Sequence, residues 1–261
     1  MVCYQINTDE TGRLTLRVLV IGATSSVAGG VIRQWASRGA TFFLVGRDEN
    51  RLQAIATQYN DSVSGIYSYD FSDVDQAPLM VAEACDALGQ IDCVLLAQGY
   101  LPEQIETEDS YELASHTVDS NFTWVIAQII PLVQMLVEQN HGALGVITSV
   151  AGDRGRPRNY TYGAAKGGLS LYLQGLRSRL WSSPVDVITF KLGPVDTPMT
   201  ASHEKNFSFS TVEQVASCIV KAFDKPCGRE VYVPGYWRWV LAVVQIMPEW
   251  LFQRLKFLSA R

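Results

Sequence analysis

The sequence predicts an α/β fold: one doubly wound parallel sheet with helices on both faces. Three observations carry that prediction. Short apolar runs rich in branched residues alternate with helix-like segments along nearly the whole chain. The first run ends at a turn of small residues that opens a helix. Finally, 261 residues with 48% hydrophobic and 18% charged side chains are enough to bury one large core.

"LRVLVIG" (16–22) reads as a buried parallel strand ended by glycine, and a helical pattern follows to about Arg38. "ATFFLVG" (40–46) is a second strand and "DENRLQAIATQY" (48–59) a helix. "SGIYSYD" (64–70), a helical stretch (73–88) and "IDCVLLAQG" (91–99) continue the alternation. A long apolar-periodic segment (110–139) precedes the strand "GALGVITS" (142–149). A glycine-rich helix containing "NYTYGAAKGG" (159–168) leads to the strand "VDVITFKLG" (185–193). A helix at 211–224 and a last strand "EVYVPG" (230–235) complete a domain over 14–235. Residues 236–261 form an apolar amphipathic tail, "YWRWVLAVVQIMPEWLFQRLKFLSAR", split by Pro248.

Composition narrows the function. A net charge of −5, with neither half strongly basic, argues against nucleic acid as a partner. Cys3, Cys85, Cys93, Cys218 and Cys227 are scattered, odd in number and show no CxxC pair, so they read as reduced thiols and not as a metal site. "MVCYQINTDETGR" has no basic region followed by an apolar core, so no signal peptide is visible there. The longest uncharged apolar run, 239–247, is far shorter than the ~20 residues that span a bilayer. A cytoplasmic location is the resulting expectation.

In a doubly wound sheet, ligands bind beyond the carboxyl ends of the strands. After the first strand, "GATSSVAGG" (22–30) can present backbone N–H groups and a helix dipole to a pyrophosphate, with Ser26 and Ala28 where a GxxxGxG motif needs glycine. Arg47, at the end of the second strand, suits the 2′-phosphate of NADP(H) better than the bare ribose of NAD(H), although Asp48 stands beside it. Asp70 can contact an adenine edge or cap the helix that starts near Asp73. Tyr162 and Lys166 are four residues apart and share a helix face, whereas Tyr160 has Ala164 at that spacing. A nearby ammonium lowers a phenol pKa from its usual ~10, which would prepare Tyr162 for proton transfer. Each glycine costs roughly 1 kcal/mol in a helix, so Gly163, Gly167 and Gly168 imply close approach of a backbone or a flat ligand.

Ser149 lies thirteen residues before Tyr162. With that spacing, Asn121 of "DSNFTWV", Ser149, Tyr162 and Lys166 resemble the catalytic residues of the short-chain dehydrogenase/reductase family. "IGATSS", "LLAQG" where that family usually has NNAG, and "LGPVDTPM" (192–199) extend the resemblance over nearly the whole chain. It implies a Rossmann-like single-domain enzyme that moves a hydride between a nicotinamide and a carbonyl carbon. Tyr162 would then transfer the proton, Ser149 bond the substrate oxygen, Lys166 hold the nicotinamide ribose, and Asn121 anchor a water that leads from Lys166 to solvent. By the same resemblance Gly22, Thr24, Ser25, Ser26, Val27, Arg47, Asp70, Ala97, Gln98, Pro194, Val195 and Thr197 would line the cofactor site, with Tyr162 and Lys166. The glycine-rich helix would run beside the nicotinamide ribose.

Two features point to the substrate. "GDRGRPRN" (152–159) carries Arg154, Arg156 and Arg158 between the catalytic serine and tyrosine, either to receive a phosphate or as a solvated loop. The tail bears Trp237, Trp239 and Trp250 with Arg254, Lys256 and Arg261, as a helix lying in a membrane surface over 237–258 would; core packing or a dimer contact explains the same residues. Together with "GPVDTPMTAS" (193–202) and "MPEWLFQRLK", they resemble the bacterial branch that reduces decaprenylphosphoryl-2-keto-erythro-pentose. That implies a lipid-linked keto-sugar and the inner face of the membrane. A soluble keto-sugar, ketoacyl or other small ketone is the alternative substrate, and an NADP-sensing protein without turnover the alternative class. Apolar residues such as Trp124, Leu169, Leu173 and Leu176 on the two long helices suggest a homodimer or homotetramer.

Overall fold

The computed structural model describes residues 16–201, 204–225 and 228–255. Cys3, Cys227, Lys256 and Arg261, and with them the "MVCYQINTDETGR" segment, lie outside the described residues. The strands are β1 (Arg17–Ile21), β2 (Thr41–Gly46), β3 (Val63–Ser68), β4 (Cys93–Leu96), β5 (Ala143–Ser149), β6 (Asp186–Leu192) and β7 (Glu230–Val233). The helices are α1 (Ser26–Ala36), α2 (Glu49–Gln58), α3 (Gln76–Leu88), α4 (Gln104–Asp109), α5 (Tyr111–Val118), α6 (Trp124–Glu138), α7 (Tyr160–Arg179), α8 (Val212–Phe223), α9 (Trp237–Ile246) and α10 (Glu249–Phe252). All seven strands are parallel, in the order β3-β2-β1-β4-β5-β6-β7.

Alternation along each strand sends side chains to two cores. Val18 and Val20 of β1 meet α1 and α8 on one face, where Trp35 and Phe223 stack edge to face. Leu19 and Ile21 meet the apolar sides of α3, α6 and α7 on the other. Leu169, Leu173 and Leu176 belong to this second core, and Trp124 packs partly against it. These residues therefore face the sheet, which corrects the reading of them as surplus for a subunit interface. The exposed large apolar residues of α6 and α7 are instead Ile130, Val137, Tyr160 and Leu171.

The 110–139 segment forms one continuous helical stretch, Tyr111–Glu138, interrupted by a π-turn at Asp119–Thr123. By length and composition it could cross a membrane, but Val125, Ile129, Leu132, Val133 and Leu136 pack on the sheet.

The glycines of α7 have a local cause. A Cβ on Gly163 would stand 2.7 Å from the Ala151 carbonyl oxygen, and one on Gly167 2.7 Å from that of Gly152. Helix α7 thus packs backbone to backbone on the 3-10 turn Val150–Gly152 that follows β5. The close approach expected from the sequence is to protein backbone at Gly163 and Gly167, whereas at Gly168 a Cβ would meet only the Phe122 ring at an ordinary 3.5 Å. Gly175, on the same helix, has open space around it.

Gly167→Ala should therefore destabilise the fold by about 1–3 kcal/mol through overpacking, even though alanine is the better helix former. Gly175→Ala should stabilise it by roughly 1 kcal/mol. Urea unfolding of the two variants checks both signs.

Candidate active site

The strand order reverses between β1 and β4, so a crevice opens where their carboxyl ends diverge. A cleft of about 440 Å³ runs from there across the ends of β5 and β6. Gly22 forms its floor with φ at +77°, and a Cβ there would lie 2.7 Å from the Gln98 nitrogen. Only glycine serves both demands. Helix α1 starts directly afterwards, capped by Ser25, whose hydroxyl accepts from the Ala28 N–H at 3.1 Å. Ser26 and Ala28 are therefore helical residues, and the small-residue loop is only four residues long. Gly30 is needed elsewhere: its Cβ would strike Val212 of α8.

Thr24, Ser25, Ser26, Val27, Ala97, Gln98, Pro194, Val195 and Thr197 all line the cleft, as do Arg47, Ser149, Tyr162 and Lys166. Asp70 does not; its carboxylate accepts from the backbone N–H and hydroxyl of Ser72. It thus caps a turn ahead of α3, and these bonds hold its pKa below the usual carboxylate value. Asp48 is committed as well, as the N-cap that accepts from the Arg51 N–H. Arg51, which sequence reasoning passed over, lines the cleft and donates to the Thr24 carbonyl at 2.8 Å. Its position three residues after an N-cap was the available signal.

Four elements bring the catalytic candidates together. Ser149 ends β5, where its hydroxyl accepts from the Ala151 N–H at 3.1 Å and donates to the Leu192 carbonyl at 3.4 Å. It stands near enough to the Tyr162 hydroxyl, in the first turn of α7, to favour the phenolate. One turn on, buried Lys166 donates to the Ile147 carbonyl at 3.3 Å, with Nζ 5.9 Å from the Tyr162 ring centre. Asn121 sits in the π-turn, a geometry that often marks functional sites. Its amide donates to the carbonyls of Tyr100 and Thr117 and accepts from the Tyr100 N–H. It pins the loop after β4, and the space over Gly99 is bounded by its Oδ1 and by Lys166 Nζ. The N-terminus of α7 is fixed from α4: Gln104 accepts from the Thr161 N–H and donates to the Thr161 hydroxyl.

Burial dominates the protonation of this group. It pushes Tyr162 up to about 12, a rise that the Ser149 bond only reduces. It brings Lys166 down to about 8. The expectation that Lys166 lowers the tyrosine's pKa is not met in the free chain: desolvation of the phenolate dominates, and Ser149 is the group that offsets it.

The arginine loop divides. Arg156 lines the cleft, while Arg158 is exposed and outside its wall. Arg154 turns away, donating to the Gln245 carbonyl of α9 at 3.3 Å with its guanidinium 4.8 Å from the Phe252 ring centre. The sequence expectation of three cations converging on one phosphate is corrected to one. In the tail, Leu241, Val244 and Phe252 pack on Val150, whereas Trp239, Val243, Ile246 and Trp250 are exposed.

The residues fit a dinucleotide. Gln98 lines this cleft with both amide atoms buried and without a partner, and the small-residue N-terminal end of α1, from Thr24 to Val27, lines it too, as an anion site at a helix terminus would.

The family described as short chain dehydrogenase matches residues 17–207. An uncharacterised oxidoreductase of Streptomyces coelicolor is 31% identical over 244 residues, spanning 91% of this chain and 95% of that one. Among solved structures, a variant of actinorhodin polyketide ketoreductase with NADPH superposes with a TM-score of 0.75 at 20% identity, covering 85% of this chain and 97% of that one. A short chain dehydrogenase of Burkholderia cenocepacia in complex with NADP gives 0.74 at 20% identity, over 90% and 98% of the two chains.

The pH dependence of stability follows from the buried pair. Lys166 falls from an ordinary 10.5 to about 8, so between these values the unfolded chain holds a proton that the folded chain has released, and stability rises with pH. Tyr162 acts in the opposite sense, with stability falling from pH 10 towards 12. Lys166→Met should flatten the rise between pH 8 and 10 by up to about 3 kcal/mol, at ~1.36 kcal/mol per unit. Urea unfolding at stepped pH measures it.

Proposed function

The chain belongs to the short chain dehydrogenase family and is an NAD(P)-dependent oxidoreductase; from that premise we propose that it is an NADPH-dependent reductase of a ketone. The observation that carries this reading is the Ser149–Tyr162 hydroxyl pair, with Lys166 one helical turn on, facing one cleft. A bound nicotinamide supplies the hydride, which no side chain of this protein can provide. Ser149 holds the substrate oxygen where charge develops. Tyr162 donates the proton that completes the alcohol. Its high pKa keeps the phenol protonated at neutral pH, so the proton is in place before the substrate arrives. The Lys166 ammonium stabilises the phenolate left behind, and Asn121 holds the adjoining loop so that a water can relay a proton to Lys166.

Preference for NADPH is supported by Arg47 at the end of β2. The two acids near it are engaged elsewhere, Asp48 as a helix cap and Asp70 by Ser72, and none of the described residues lining the cleft is an aspartate or glutamate. Arg51 braces the same corner.

The substrate on this reading is a lipid-phosphate-linked keto-sugar of cell-envelope synthesis. A cation in the cleft and an amphipathic tail beside it support that reading. The tail's exposed Trp239 and Trp250, with Arg238 and Arg254 over their rings, suit a membrane surface, the inner face for a cytoplasmic enzyme. Ile130 and Leu171, exposed on α6 and α7, suit the interface of a homodimer or homotetramer.

Tyr162→Phe should abolish NADPH-dependent ketone reduction and leave NADPH binding nearly intact, whereas Tyr160→Phe retains activity. Arg47→Ala should weaken NADPH binding by about 1.5–3 kcal/mol and leave NADH binding unchanged. Steady-state rates and titration calorimetry read these outcomes. Replacing Trp239 and Trp250 by serine should lower flotation with anionic liposomes, and unchanged flotation removes the membrane part of the reading.

A further inference from the structure

Arg156 makes no ion pair among the described residues. Its Nε is shielded from solvent and has no hydrogen-bond partner, although the residue lines the cleft beside Tyr162. Burial pulls its pKa down, and Asp153 opposes that only in part. Asp153 is already engaged: one carboxylate oxygen receives Lys191 Nζ at 2.7 Å and the other the Tyr232 hydroxyl at 2.8 Å. Lys191 is further held by Glu230, and Glu230 by Arg177. Asp153 and Glu230 are therefore already engaged, and the described residues of the cleft wall include no aspartate or glutamate. Asn159, three residues on and also in the wall, buries an Oδ1 that lacks a donor.

A guanidinium with a shielded, unpartnered nitrogen lowers stability, and it is tolerated where a ligand completes it. We propose that the substrate carries a phosphate-type anion bonded to Arg156 and a hydroxyl that donates to Asn159. This rests on the ketone-reductase reading and deepens it: the carbonyl compound is a hydroxylated, phosphorylated one. Arg156 is the specificity residue. Arg158 remains in solvent, and Arg154 holds the loop against α9 and α10.

The assignment predicts opposite signs for stability and binding. Arg156→Met removes the shielded, unpartnered nitrogen, so the melting temperature of the free protein should stay level or rise. With NADP⁺ present to occupy the cofactor end, the same variant should bind 4-methylumbelliferyl phosphate at least tenfold more weakly than the parent. Binding of neutral 4-methylumbelliferone should be unaffected. Arg158→Met, the control for general surface charge, should change phosphate-probe binding less than twofold. A lower melting temperature with unchanged probe binding would make Arg156 structural and overturn the proposal. Equal losses for Arg156→Met and Arg158→Met would overturn it too, since the effect would then be diffuse charge. Failure of NADP⁺ itself to bind the parent protein would instead sink the reductase reading. Displacement of the probe by undecaprenyl phosphate in micelles or by glucose 6-phosphate, whichever acts at lower concentration, assigns the anion to a lipid or to a soluble sugar.

Discussion

The contact between α7 and the turn after β5 governs the active site. Two carbonyls of that turn, from Ala151 and Gly152, lie where side chains on Gly163 and Gly167 would be. Because the turn begins at Ser149 and the helix carries Tyr162 and Lys166, this separation sets where the three functional groups meet. Any Cβ in the seam would move the phenol relative to the serine. The same seam accounts for glycine in a helix whose other face is ordinary leucine core. Its far end is tied down electrostatically. Asp153 closes the turn and bonds Lys191 from β6, whose ammonium is held above its ordinary pKa by Asp153 and Glu230 against the downward pull of burial. A rigid backbone seam and a buried ion cluster thus fix a site whose own members are strained by desolvation.

That desolvation clarifies the division of labour. In the free chain the phenol is a weak acid and the lysine is close to losing its charge. Both shifts have one cause, the removal of water from neighbouring groups of opposite preference. An ammonium and a phenolate present together would offset part of both penalties, each charge stabilising the other where water is excluded. Gln98 makes the same point at the other end of the cleft: a buried amide with both atoms unpaired lowers the stability of the free protein and has a use only when something polar lies against it.

Much of this was legible in the residues. Alternating branched runs and helical periods gave all seven strands, because parallel strands buried on both faces read as continuous apolar segments. The four-residue spacing of Tyr162 and Lys166 needs only a helix to become a shared face. What stayed hidden depended on partners distant in sequence. The reason for Gly163 and Gly167 lies at 151 and 152, so the residues signalled close approach but could not say to what. The apolar positions of α7 could be counted but not divided between sheet and surface, hence the misreading of Leu169, Leu173 and Leu176. The role of Asp70 was also a matter of geometry, since Ser72 captured it before any ligand could.

The arginine loop and the tail show the same limit and resolve into one assembly. Three like charges in five residues suggest a single task, yet each guanidinium has a different environment. Arg154 reaches the Gln245 carbonyl and covers Phe252; Trp237 lies over Gly193, where any side chain would collide with it. The inner side of the tail is therefore a wall of the active-site loop, built from Leu241, Val244 and Phe252 on Val150. Val150 adjoins Ser149 in the chain, so the tail packs on the turn that carries the serine. The tail's two sides consequently answer to different constraints. The inner one is needed for the shape of the cleft whatever covers the outer one, and the exposed tryptophans can change partners without disturbing Leu241 or Val244. This separates the tail's structural role from any surface it engages.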